Sequence, residues 1–281
     1  MLNATITGYK KRALTAAALA ANGVSLVHLP MHGIAPYGDD TASTIRDRSP
    51  TPVLGGDLSP AGTLTNMFSN NGWWTPTSTS YVRIKTQAAV DLFDAVNSKA
   101  IIVALNIYHT GDPASECSLI EAGSNNAATN GGGGFGVRLK TDGNLGTVSR
   151  ARDTGSSMTG AAQKDITAHT GARKTYLACV DVEASVVKSY YQGAFHVSDA
   201  LVGNIFQPSA AFGVSIGCRA TDASTQANFA GAGANGLRLS NVWIMRDTTG
   251  VLLADVANIA ADLYETPNGI PRSLMRALGI R

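Results

Sequence analysis

Charged residues are scarce in this chain. Asp, Glu, Lys and Arg together make up 15% of the 281 residues, whereas soluble domains carry roughly 25%. The formal net charge is only +2. So weak a positive field does not hold a nucleic acid or an anionic lipid surface, and we expect neither as a partner. Glycine, serine, threonine and asparagine fill the gap, so the predicted surface is polar without being charged.

Cysteines and long apolar runs are also few. Cys117, Cys179 and Cys218 are too far apart for a disulfide framework, and none forms a CxxC pair. We expect small buried hydrophobes on strands, with one disulfide plus a leftover thiol as the open alternative. No stretch approaches the ~20 apolar residues of a membrane span, which predicts no membrane insertion.

The N-terminus superficially resembles a signal peptide. Lys10, Lys11 and Arg12 precede a short apolar run over residues 13–21. That run is mostly alanine, which is weakly hydrophobic but a strong helix former, so we predict a helix ended by Asn22-Gly23. Such a helix packs either on the domain's own sheet or on a neighbouring subunit. Residues 1–22 are therefore predicted to form an N-terminal helical docking segment.

After Gly23 the apolar pattern changes to the period of two that is typical of strands. Residues 100–108 are apolar on both alternating faces, which predicts a strand buried on both sides. Phe135, Val137 and Leu139 share one face of a strand that runs into Asp142-Gly143, a strong hairpin signal. Further strands are predicted over residues 24–29, 81–85, 176–183, 186–191, 212–218 and 237–246.

The chain ends in helices. Val256, Ile259, Ala260 and Leu263 fall on one face of a helix running to about residue 265. Residues 266–281 are predicted to form a C-terminal helical tail, whose last helix starts with Pro271 and ends at Gly279.

Many short strands with Gly/Pro turns, and no alternating helices, predict an all-β fold. We expect a two-sheet antiparallel jelly-roll sandwich over residues 23–265, with an N-terminal helix and C-terminal helices. Phe212, Val214 and Ile216 should point into the space between the sheets.

Several motifs match enzyme patterns without their structural context. Residues 213–217 fit G-x-S-x-G, but Ser215 lies mid-strand and no histidine follows it. The glycine runs at 131–136 and 231–236 fit G-x-G-x-x-G, but each precedes a strand instead of the helix that would bind phosphate. Of the glutamates Glu116, Glu121, Glu183 and Glu265, no two alternate along one strand as a glycosidase pair would. The interpretation is a protein that is not an enzyme.

The sequence also has few residues in patterns that are typical of metal or cofactor sites. Pro30 between His28 and His32 forbids the helix that would place both imidazoles on one face. Asp39, Asp40 and Asp47 offer oxygen atoms to calcium but lack an EF-hand pattern. We therefore predict no cofactor and no metal site, with calcium as a possibility that no motif supports.

Trp73 and Trp74 form the best candidate binding site in the sequence. They lie in a polar loop, where adjacent indoles stack on sugar faces or anchor a partner. Adjacent strand residues point to opposite sides, so the alternative is one core tryptophan and one partly exposed.

The segments between Val24 and Tyr264 together resemble the laminin-G/concanavalin-A-like jelly-roll domain. Residues 173–181 (RKTYLACVD) look like the family's W-x-H-v-A strand, with Tyr176 in place of the tryptophan. Residues 189–193 (SYYQG) look like its l-Y-v-D-G hairpin, and residues 254–264 look like its l-s-a-a-e-i-a-a-L-Y ending. The resemblance implies binding of sugars or proteins, sometimes through calcium. Such domains also recur in bacteriophage virion proteins.

Two functions are expected from this combination. The first is a non-enzymatic virion structural protein of a tail, baseplate or capsid surface, located in the virion. It would be a homo-oligomer that contacts other virion subunits or a glycan on the host surface. The alternative is a carbohydrate-binding module of a secreted or surface protein. A degenerate glycosidase ranks last.

Overall fold

The computed structural model describes residues 13–30, 45–54, 57–58, 76, 81–123, 134–150, 166–167, 171–201, 207–220, 226–227, 236–267 and 269–280. The strands within those ranges are β1 Val24–Pro30, β2 Ile45–Arg46, β3 Asp57–Leu58, β4 Val82–Ile84, β5 Ala100–Tyr108, β6 Cys117–Gly123, β7 Gly134–Leu139, β8 Asn144–Arg150, β9 Ile166–Thr167, β10 Lys174–Asp181, β11 Val186–Tyr191, β12 Ala194–Ala200, β13 Val214–Ile216, β14 Arg219–Ala220, β15 Gln226–Ala227 and β16 Arg238–Asp247. The helices are α1 Ala16–Ala21, α2 Gln87–Asp91, α3 Val256–Glu265 and α4 Arg272–Ala277.

Two six-stranded sheets form the body of the molecule. The first sheet has the order β1-β16-β5-β10-β11-β12, and the second has the order β4-β13-β6-β7-β8-β9. Every neighbouring pair in both sheets is antiparallel. The predicted two-sheet antiparallel jelly roll is confirmed.

The main core lies between the two sheets, because alternate residues of each strand point toward the other sheet. Val103 and Leu105 of the first sheet and Val137 of the second are buried there. Val214 and Ile216 are fully buried in the same core, and Phe212 is 5% exposed. Helix α2 adds Ala89 and Val90 to this core. The inward direction predicted for Val214 and Ile216 is confirmed, whereas Phe212 precedes the strand and does not belong to this core.

A second core covers the opposite face of the first sheet. Ile102, Ala104 and Trp243 of that sheet pack with the apolar stripe of α3, which consists of Val256, Ile259, Ala260 and Leu263. The centre of the first sheet is therefore buried on both faces, which explains why residues 100–108 are apolar at every position but Asn106.

The terminal helices belong to this second core. Leu19 of α1 and Leu274 of α4 pack in it beside the stripe of α3. Both helices thus lie on the chain's own sheet, the first of the two positions expected for the N-terminal helix. Docking of residues 1–22 on another subunit stays a prediction. Pro271 precedes α4 as its cap and is not its first helical residue, a correction of one position.

Three sequence details are settled by the described residues. The hairpin predicted at Asp142-Gly143 joins β7 to β8, and Gly143 adopts a φ of 76°. All three cysteines are buried and none forms a disulfide, which rules out the disulfide alternative. None of the helices in the described ranges has both the length and the apolar character needed to cross a bilayer.

Candidate functional site

Trp73 and Trp74 lie outside the described residues, as do His32, Asp39 and Asp40. The proposed role of the two indoles therefore stays a prediction.

Asp47 is described, and its carboxylate is already fully used. One oxygen, Oδ1, accepts from the backbone N–H groups of His28 and Ser49 at 3.2 and 3.0 Å. The other, Oδ2, accepts from Val53 N–H at 3.1 Å. This carboxylate ties a loop to β1. The described part of the chain contains no group of three or more potential metal ligands.

A polar cluster lies on the outer face of the second sheet, and a β-bulge in β6 creates it. Leu119 and Ile120 both point into the core, because the register against β7 shifts between Ser118 and Ile120. An extra residue of this kind reverses the alternation of the strand. Glu121 consequently lies on the same face as Ser118, away from the core. In a regular strand, residues three positions apart would point to opposite faces.

Arg138 of β7 holds the two glutamates together. Its Nη1 donates to Glu116 Oε1 at 2.6 Å, and its Nη2 donates to Glu121 Oε2 at 3.1 Å. Ser118 Oγ donates to the same Glu121 oxygen at 3.2 Å. Burial alone would lower the pKa of Arg138, but the carboxylates of Glu121 and Glu116 outweigh it and raise the pKa. The buried side chain of Arg138 is therefore always positively charged on the outer face of the second sheet.

The strand register extends this polar cluster sideways. Arg83 of β4 is paired with Ser215 of β13, Ser215 with Glu121, and Glu121 with Gly136 of β7. The four positions form one row across four strands. Arg83 Nε donates to the carbonyl of Phe212 at 3.2 Å, which fixes the base of that side chain.

Arg219 of β14 lies beside the row, where it senses the charges of Glu121, Arg138 and Glu116. Burial is the largest influence on its guanidinium and lowers its pKa. Within the described ranges Arg219 makes no ion pair. We call the set Arg83, Glu116, Ser118, Glu121, Arg138, Ser215 and Arg219 the arginine cluster.

The arginine cluster has hydrogen-bonding capacity to spare. Arg138 Nε and Arg219 Nε are buried and have no hydrogen-bond partner in the described structure, and the buried hydroxyl of Ser215 interacts with the Cys218 thiol. Buried polar groups are normally satisfied, so two unsatisfied guanidinium atoms in one cluster point to a ligand or to ordered water.

The same geometry bears on glycoside hydrolysis. That reaction needs one carboxyl group to act as an acid and a second to act as a base or nucleophile. Glu116 and Glu121 are both bound by the single guanidinium of Arg138. Both carboxylates therefore share one guanidinium group, which fixes their positions.

Simple alternation along the strand does not predict the arginine cluster, because it places Ser118 and Glu121 on opposite faces. The signal was present in residues 117–122 (CSLIEA), where one apolar pair interrupts the alternation of apolar and polar residues. Such a phase slip within a strand indicates a bulge.

No protein-family model matches the chain, and no curated protein matches it in sequence. Solved structures resemble it in fold. The CBM40 domain of the Ruminococcus gnavus IT-sialidase bound to α2,3-sialyllactose is 14% identical, with a TM-score of 0.44 over 61% of this chain and 88% of that chain. The native heptameric SAP-like pentraxin from Limulus polyphemus is 16% identical, with a TM-score of 0.40 over 62% and 73%.

A Trypanosoma rangeli sialidase in complex with 2,3-difluoro-KDN is also similar. It is 10% identical, with a TM-score of 0.48 over 87% of this chain and 33% of that chain. All three likenesses concern the fold alone.

Proposed function

We propose that the chain is a carbohydrate-binding domain and that the arginine cluster on the outer face of the second sheet is its binding site. The observation that carries this proposal is the unused hydrogen-bonding capacity of Arg138 Nε and Arg219 Nε in one cluster.

The chemistry of the cluster suits sugar hydroxyl groups, which both donate and accept hydrogen bonds. Guanidinium groups only donate, carboxylates only accept, and a serine hydroxyl does both. The cluster combines all three types side by side. Hydrogen bonds in which one partner is charged are about twice as strong as neutral ones, so few are needed to orient a ligand.

The geometry suits an extended ligand. Adjacent strands lie about 4.8 Å apart, so the row from Arg83 to Gly136 spans roughly 14 Å. Gly136 leaves its end of the row without a side chain. Because Arg138 is held by two carboxylates and Arg83 by a carbonyl, the donors are fixed before the ligand arrives, which lowers the entropy cost of binding.

The proposal is tested by screening the protein on a glycan array and measuring affinity for each positive glycan by calorimetry. Arg219→Met removes an unpartnered guanidinium group from the site, and Ser215→Ala removes a buried hydroxyl group. Loss of a hydrogen bond to a charged group costs about 1.5–3 kcal/mol, so Arg219→Met should weaken binding roughly 10-fold to 100-fold.

The matched control is Arg276→Met. Arg276 lies on α4, and its side chain is 63% exposed. This variant removes the same charge from the opposite side of the molecule and should leave affinity unchanged. Equal affinity of the Arg219→Met variant and the wild type, or no glycan bound at all, would refute the proposed site.

The virion role stays a prediction that rests on composition and family resemblance. The location of the chain, in a virion or at a cell surface, stays a prediction as well, as do its oligomeric state and its lack of catalysis.

A further inference from the structure

Lys174 is buried in an unusual place, between the two sheets. It begins β10 and lies on the same face as Tyr176, Ala178 and Val180, which are all part of the core between the sheets. Lys174 is 0% exposed. Its Nζ has no hydrogen-bond partner in the described structure. A buried ammonium group is normally paired, because desolvating an isolated charge is costly.

His109 lies next to this ammonium group. Lys174 is paired with Ile107 of β5, and His109 comes two positions after Ile107, just beyond the end of that strand. His109 is also 0% exposed. Burial and the charge of Lys174 both lower its pKa, so the imidazole is neutral at pH 7. Its Nδ1 lies 3.2 Å from the carbonyl of Gly111 and therefore carries the proton. Nε2 then has a free lone pair, and it has no partner among the described residues.

Among the described residues no carboxylate compensates Lys174. Burial lowers its pKa to about 8. Asp112 raises the pKa of His109 and is not among the influences on Lys174. At neutral pH the lysine is thus mostly protonated, so a cation without a counter-charge among the described residues is enclosed at this end of the sandwich. The charge of Lys174 acts on His109, whose Nε2 is a hydrogen-bond acceptor.

These two groups specify the ligand that would satisfy both. Lys174 Nζ needs an anionic oxygen that accepts, and His109 Nε2 needs an O–H group that donates. We propose that Lys174 and His109 form a binding site for a small oxyanion that keeps one proton, of the hydrogen phosphate or bicarbonate type. One oxygen of the anion accepts from Nζ while its O–H donates to Nε2. The site is separate from the arginine cluster, which lies on the outer side of the second sheet.

Sulfate provides the matched ligand control. It has the size and geometry of phosphate but carries no proton at neutral pH, so it satisfies Lys174 and not His109. Thermal unfolding is measured at pH 7 in phosphate, bicarbonate and sulfate at equal ionic strength. An anion at 100 times its Kd should raise the Tm of the wild type by roughly 5–10 °C. We expect that shift with phosphate or bicarbonate and a clearly smaller one with sulfate, and the responding anion identifies the ligand.

Two variants locate the effect. Lys174→Met should abolish the difference between the anions, whereas Lys99→Met should keep it. Lys99 lies at the other end of the first sheet, and its side chain is 49% exposed. Phosphorus NMR line broadening of phosphate by the wild-type protein, lost in His109→Phe, measures binding without relying on unfolding. Equal shifts in the wild type and Lys174→Met, or equal shifts with sulfate and the protonated anions, would overturn the assignment.

Discussion

Replacing Lys174 by methionine should stabilise the folded chain, whereas most substitutions of buried residues destabilise. The side chain is fully buried, and its ammonium group lacks a partner among the described residues. Methionine has a similar length and no charge, so it keeps most of the packing and removes the cost of desolvation.

The magnitude follows from the pKa of Lys174. Burial lowers that pKa from its usual value of 10.5 to about 8. At 1.36 kcal/mol per pH unit, the protonated lysine costs the folded state about 3 kcal/mol. Between pH 8 and 10.5 the unfolded chain binds more protons than the folded chain, so the wild type gains stability as the pH rises. Below pH 8 the cost is present in full.

Urea unfolding in buffers free of oxyanions measures this difference. At pH 7 the Lys174→Met variant should have a free energy of unfolding about 3 kcal/mol higher than that of the wild type. The difference should shrink toward zero as the pH approaches 10.5, and Lys99→Met should show no such trend. A variant less stable than the wild type at pH 7, or a difference that does not change with pH, would refute the account of Lys174 as an unpaired buried cation.

Two further predictions concern buried groups elsewhere. Arg138→Met should lower the free energy of unfolding by about 3–5 kcal/mol in urea titrations, because it leaves Glu116 and Glu121 without their shared cation. A loss below ~1 kcal/mol would show that these two salt bridges do not stabilise the fold. Burial raises the pKa of Cys179 and of Cys218 to about 12. Both thiols should therefore resist a thiol reagent in the native state and react after unfolding, and rapid labelling of the native chain would contradict this.

The fold was predictable where alternation and turn signals agreed. Strands β5 and β11 match the predicted residues 100–108 and 186–191 at both ends. In β5 the apolar residues fill both faces, and in β11 the strand stops at Gln192-Gly193, whose positive φ angles of 51° and 81° fit a tight hairpin. Helix α3 was equally clear, because four buried residues follow its period.

The candidate site was not predictable in the same way. Most of its members come from β4, β6, β7 and β13, strands that become neighbours only through the topology of the second sheet, while Arg219 comes from a separate two-stranded sheet and Glu116 precedes β6. No local pattern links Arg83 to Ser215 or Ser215 to Glu121. The bulge in β6 also reverses the face on which Glu121 lies, so simple alternation assigns that residue to the wrong side.

The two sheets differ in what their outward positions carry, and this difference favours the second sheet as the proposed binding face. Outward residues of the first sheet such as Ile102, Ala104 and Trp243 are apolar, and the terminal helices cover them. On the second sheet the positions that face away from the core include Ser118, Glu121, Arg138 and Ser215, all polar. These four side chains are at most 6% exposed, so the outer face of the second sheet differs from that of the first by its polarity and its unused hydrogen bonds, and not by exposure. Arg138 Nε and Arg219 Nε in the arginine cluster and the ammonium group of Lys174 are all buried donors without a described partner, and each of them would be satisfied by an oxygen atom that accepts a hydrogen bond.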